Sequence, residues 1–182
     1  MLTGGCVALL MSVTCGCSKR RVESTARPTP RAQSSEAALR AQIGKQENNL
    51  LASINEVRAR GASCPGWGRP RTSLPPLRRS ETLARAAQAY SAEIANTGVF
   101  SHESLEGRRP GSRAARAGYT GRDVVENLAW GQQEPAEVVA AWLASPSHCQ
   151  ALLSGERGEA GVGFARGSED KPIWVFLAGS AP

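Results

Sequence analysis

Histidine is nearly missing from this chain, with two residues in 182. Any chemistry that needs imidazole must therefore use His102, His148 or both. Aromatic residues make up 5% of the sequence, but four of them are Trp, so core volume rests on a few large anchors. No Cys-x-x-Cys occurs and no second cysteine pair stands in the folded region, which removes a zinc-finger reading. No Lys, Arg, Asp or Glu precedes Lys19. No apolar run approaches the ~18 residues that a membrane-spanning helix needs. There is no internal repeat, and no strand–helix–strand alternation of the kind that builds a parallel sheet.

What is present fits one domain with a leader. The apolar run Val7–Val13 ends at Cys15-Gly16-Cys17 and is followed abruptly by Ser18-Lys19-Arg20-Arg21. This reads as an export signal over residues 1–17. Thr14-Cys15-Gly16-Cys17 resembles a bacterial lipoprotein cleavage site with Cys17 as the acylated residue; the alternative is plain secretion with cleavage nearby. Residues 18–45 are rich in Pro, Ser, Thr, Arg and Ala and read as a disordered basic tether. Six of the basic residues and two of the acidic ones fall between Ser18 and Arg40, so +4 of the net +6 sits there. A nucleic-acid binder would gather its basic residues on the domain. Arg78-Arg79 and Arg108-Arg109 are the adjacent basic pairs there, and they read as solvated surface. Nucleic acid is therefore not an expected partner. The basic tail suits anionic lipid head groups, and a lipid anchor makes the membrane the expected partner.

Residues 46–182 carry the domain. Leu50, Leu51, Ile54 and Val57 give helical spacing over 46–60, with Gly61 as a stop. Ser80 opens a second helix whose stripe is Leu83, Ala86, Ala87, Tyr90 and Ile94, and Gly98 ends it. A short helix is expected over 112–117, a buried strand over 124–129, and a helix from Pro135 with Val138, Val139, Trp142 and Leu143 inward. Ser145-Pro146 caps a further short helix through Leu153. Strands over 160–165 and 173–178 finish the chain. The fold class is a mixed, layered α/β domain. Cys64 and Cys149 are the two cysteines of the exported domain, which favours one disulfide; two free thiols or a metal pair remain open at this point.

The chemistry-bearing residues are far apart in sequence. His102 lies in a loop. His148 lies in the first turn of a helix, where the dipole disfavours imidazolium. A neutral imidazole is what metal binding or general-base work needs. Glu126 sits in the apolar run Val124–Ala129, where a carboxylate is costly unless paired or functional. Ser101, Ser145 and Ser147 stand beside the histidines as candidate nucleophiles. Each has a simpler reading, as loop, helix cap and first-turn polar residue.

The order Phe100-Ser101-His102, Ala117-Gly118-Tyr119, Glu126-Asn127-Leu128-Ala129-x-Gly131, Val139-x-x-Trp142-x-x-Ser145-Pro146-x-His148, Gly161-Val162-Gly163 and Trp174-Val175 resembles the bacterial branch of the CAP superfamily. That group includes cysteine-rich secretory proteins, antigen 5 and pathogenesis-related proteins. The resemblance covers residues 47–180. It implies a three-layer α/β/α sandwich whose cleft binds a divalent cation such as zinc in some members. Carried over, the cation ligands are His102, Glu126 and His148. The family's second acid falls at Ser145, so it is absent; Glu137 lies on the same helix but at another position. Cys149 stands where Arg is common, which supports its pairing with Cys64. The expected function is an exported binding module of the cell envelope, taking a cation and small lipid or envelope ligands. The alternative is a metal-dependent hydrolase acting on envelope peptide or glycan.

Overall fold

The computed structural model describes residue 1 and residues 29–67 and 72–182. The export signal, Cys17 and residues 18–28 of the expected tether lie outside the described residues.

Helix α1 runs Pro30–Arg60. The tether was expected to extend to residue 45, but the helix begins fifteen residues earlier. Pro30 sits in its first turn and the Thr29 side chain accepts from the Ala32 N–H, so a start signal lies inside the polar stretch. Residues 30–42 of this helix are exposed; burial begins with Ile43 and Glu47. Strand β1 (Arg78–Arg79) precedes helix α2 (Glu81–Thr97), which Ser80 caps and Gly98 ends in the left-handed region. Helix α3 spans Pro110–Arg116, strand β2 Arg122–Trp130, helix α4 Pro135–Ala144 and helix α5 Pro146–Leu152. Strand β3 (Glu159–Arg166) and strand β4 (Pro172–Ser180) close the chain. Ser145 stands at the expected N-cap position of α5 in extended conformation, but its side chain makes no capping hydrogen bond.

The strands form one sheet in the order β1-β3-β4-β2, with β1 parallel to β3 and the other pairs antiparallel. Side chains on a strand alternate between faces, and β4 shows it fully. Trp174, Phe176 and Ala178 pack with Leu50, Ile54, Val138, Trp142 and Leu152 of α1, α4 and α5. Ile173, Val175 and Leu177 pack with Leu83, Ala87, Tyr90 and Ile94 of α2. Helices thus cover both faces, and the fold is the expected three-layer α/β/α sandwich. On β3 the face toward α2 is Gly161 and Gly163. A Cβ at either would strike the α2 backbone at Leu83–Ala84 or Ala87–Gln88, so the helix lies directly on the strand.

Two cross-links fix the α5 end of the molecule. Cys64 and Cys149 are joined, with Cα atoms 5.6 Å apart and a sequence separation of 85. Buried Arg58 donates to the carbonyls of Pro75, Leu152 and Ser154, tying α1 to the end of α5.

Candidate functional site at the edge of the sheet

Strand β2 is an edge strand, and the site forms along it. The α2–α3 loop brings His102 to the edge from one helical layer, and α5 brings His148 from the other. Between them, Val125, Glu126 and Asn127 of β2 form the floor, with Pro110, Ser147 and Ala151 at the rim. The pocket holds about 270 Å³ and is open to solvent. The three residues singled out in the sequence therefore meet, although nothing local connects them.

They do not meet as three equivalent ligands. The Glu126 side chain is 1% exposed, and both its oxygens are engaged. Oε1 lies 2.9 Å from Nδ1 of His102, and Oε2 accepts from Nη2 of Arg113. Arg113 is itself buried, stacks its guanidinium 3.5 Å from the Tyr90 ring centroid, and donates through Nη1 to the carbonyls of His102 and Arg108. It thus holds both the carboxylate and the loop carrying His102. The Tyr90 hydroxyl adds a bond to the Ser101 carbonyl. Among the described residues, no group of three or more His, Cys, Asp and Glu side chains is gathered to hold a metal ion. His102, Glu126 and His148 all line the pocket, with Glu126 held between His102 and Arg113.

The imidazoles differ electrostatically. The hydrogen bond to Glu126 raises the pKa of His102, against the opposing effect of burial. Burial first, and then the charge of His102, lower that of His148. His148 is held in place through its own backbone: Asn127 Nδ2 donates to its carbonyl at 3.0 Å, and Cys149 follows it in the disulfide. Farther along the edge, Trp142 Nε1 donates to the Leu128 carbonyl at 2.9 Å, so α4 satisfies a β2 group that no strand reaches.

Arg113 and Asn127 went unassigned in the sequence. Asn127 lies inside the quoted Glu126-Asn127-Leu128-Ala129 motif. Arg113 stands in a run with four other arginines between residues 108 and 122, and nothing in its spacing marks it out. Glu137 belongs elsewhere: it accepts from the N–H groups of Gln133 and Glu134 and caps α4. Among the described residues no serine hydroxyl hydrogen-bonds either imidazole, so Ser101, Ser145 and Ser147 form no Ser–His pair.

Comparison with known proteins adds a second line. The profile of the cysteine-rich secretory protein family matches residues 51–177. The uncharacterized protein YkwD of Bacillus subtilis is 33% identical over 107 residues, which is 59% of this chain and 40% of that protein. The chain thus spans well under half the length of that relative. An outer surface protein of Borrelia burgdorferi superposes with a TM-score of 0.62 at 27% identity, covering 73% of this chain and 90% of that one. An extracellular Bacillus anthracis protein containing an SCP domain gives a TM-score of 0.62 at 20% identity, over 84% and 45% of the two chains, and shares the fold. No helix among the described residues is long and apolar enough to cross a membrane.

Proposed function

This chain belongs to the cysteine-rich secretory protein (CAP) family, and from that premise we propose that it is an exported binding module of the cell envelope whose sheet-edge pocket takes a divalent cation such as zinc. The observation that carries this reading is the pairing of His102 and His148 across one pocket, with Glu126 behind His102. A carboxylate that accepts from the far nitrogen of a ligating imidazole fixes its tautomer and orientation. Here Nδ1 is committed to Glu126, which leaves Nε2 for the pocket. The depressed pKa of His148 keeps that ring neutral and able to ligate near neutral pH. His102 and His148 would hold the cation, with Glu126 and Arg113 orienting. Two protein ligands leave coordination positions open, and the bound ion would supply a Lewis-acidic point for an oxygen of a small lipid or envelope ligand. Acylation at Cys17 would place the domain at a membrane surface, and mass spectrometry of the mature N-terminus tests that separately.

A metal-dependent hydrolase acting on envelope peptide or glycan is the second reading. It is favoured by one observation: two imidazoles at one pocket have pKa values pushed in opposite directions, an arrangement that separates acid from base. Turnover lost both with chelator and in His102→Ala would support it.

The deciding experiment is calorimetric titration of the full-length protein with zinc, beside a His102→Ala/His148→Ala double variant whose circular dichroism matches the parent. Binding of about one equivalent in the parent, absent from the variant, is expected. No binding in either, or equal binding in both, overturns the cation reading.

A further inference from the structure

On the other side of Arg113 from Glu126 lies a second cavity of about 340 Å³. Helices α2 and α3 form its walls, and its polar lining is Arg85, Arg108, Arg113, Arg116, Tyr90 and Glu93. Four guanidinium groups and one carboxylate converge there. Like charges gathered in a cavity repel one another unless a counter-charge is supplied, and this one is only partly supplied from within. Glu126 answers Arg113 from behind, and Glu106 pairs with Arg108. Arg85 is turned to a neutral acceptor, the Ala117 carbonyl. Arg116 is exposed and has no partner among the described residues. Glu93 is drawn away in part, since its Oε1 accepts from the Leu105 N–H.

Arg113 is the buried member of the set, with a side chain only 6% exposed, and Arg85 and Arg116 are exposed beside it. The α2 residues Ala86 and Ala89 on the lining are small and leave room among the arginines. Guanidinium groups in a fork arrangement recognise tetrahedral oxyanions through paired hydrogen bonds.

We propose that the cavity between α2 and α3 is an anion site for a phosphate group, with Arg85, Arg108 and Arg116 as direct donors and Arg113 as the charged floor. The site requires no cation at the sheet edge and stands apart from the reading of that pocket. A free phosphate and the phosphodiester of a lipid head group share this chemistry, and the two are separated by experiment.

The test uses full-length, chelator-treated protein titrated with inorganic phosphate at constant ionic strength against chloride, followed by calorimetry and by the side-chain Nε–H resonances of its arginines. Saturable binding with movement of the Arg113 resonance is expected. Ala89→Glu places a carboxylate among the arginines from an exposed helical position; with Arg116→Ala it should weaken phosphate by about tenfold or more. Co-sedimentation with phosphatidylcholine vesicles, with and without phosphatidylglycerol, separates the sources. Binding to the anionic vesicles that Ala89→Glu abolishes assigns the site to a head group, and phosphate binding without it assigns a free phosphate. Absence of saturable phosphate binding, or binding unchanged in Ala89→Glu and Arg116→Ala, overturns the proposal.

Discussion

His102 Nδ1 lies 2.9 Å from Glu126 Oε1, and this bond sets the protonation behaviour of the ring. The carboxylate accepts, so Nδ1 carries a proton in both forms of the imidazole, and charging occurs at Nε2. The bond raises the His102 pKa. The stability that this pair contributes is therefore complete below the ordinary histidine value and fades as pH rises through the raised one. Glu126→Gln keeps an acceptor but removes the charge. Its expected result is a fall in the His102 pKa, read from imidazole resonances across a pH titration. Zinc affinity should climb with pH through the raised pKa in the parent, because proton and cation compete for Nε2. In the variant that climb should begin at lower pH, and the plateau should be about 10-fold to 100-fold weaker. An unmoved His102 pKa would show that Glu126 does not govern the ring.

Glu47 gives a second pH effect, far from the pocket. It is 6% exposed on α1, and Arg79 reaches it at only 3.6 Å. Burial outweighs the arginine and lifts its pKa to about 7. A carboxyl with a raised folded pKa stabilises fully below its unfolded value, and that contribution is lost as pH rises through the folded one. Glu47→Gln is neutral throughout. Chemical denaturation should find variant and parent close at about pH 5 and the variant more stable at about pH 8. The reverse order would mean that the Arg79 pair outweighs burial.

Most of the layered fold was legible because its cues are local. Ser80 and Gly98 bracket α2, and Pro135 opens α4. The short apolar run 173–178, with its β-branched and aromatic residues, marks β4 as a strand, and burial on both faces is why it is continuously apolar. Strand β1 was missed because two arginines, both exposed, carry no periodicity; only their parallel pairing with Glu159 and Ala160 makes them a strand. The early start of α1 was missed because residues 30–42 have no buried face to leave a stripe. At the site, the resemblance brought His102, Glu126 and His148 together, where spacing alone did not. The pairing of Glu126 with Arg113 was not legible, since the two stand thirteen residues apart on different elements and no local spacing connects them.

The Cys64–Cys149 bond constrains a long segment, so its removal should act mainly on the unfolded chain. Cys64→Ser/Cys149→Ser should lose about 4 kcal/mol, from the closure entropy of a loop this long. The bond also holds α5, a helix of seven residues too short to be stable alone. Because His148 adjoins Cys149, the double variant should bind zinc more weakly at a temperature where it remains folded. A variant with reduced stability and unchanged zinc affinity would show that Asn127 and Arg58 suffice to place α5.

The contact between α2 and β3 has no side chain on the strand at Gly161 and Gly163, which makes it testable by adding one methyl group. Alanine suits a strand at least as well as glycine does, so local propensity alone predicts no loss. Packing predicts the opposite, because the new Cβ would run into the Ala84 or Ala87 backbone, and a helix backbone yields only by moving as a unit. Gly161→Ala and Gly163→Ala should each lose about 2 kcal/mol or more in urea unfolding. Gly158→Ala is the matched control, since nothing lies within 4 Å of a Cβ there, and it should stay close to the parent. The loss should extend to the site, because α2 carries Tyr90 and ends where the His102 loop begins. Were Gly163→Ala as stable as Gly158→Ala, the helix would have to stand farther from the sheet, and the position of His102 would need another support.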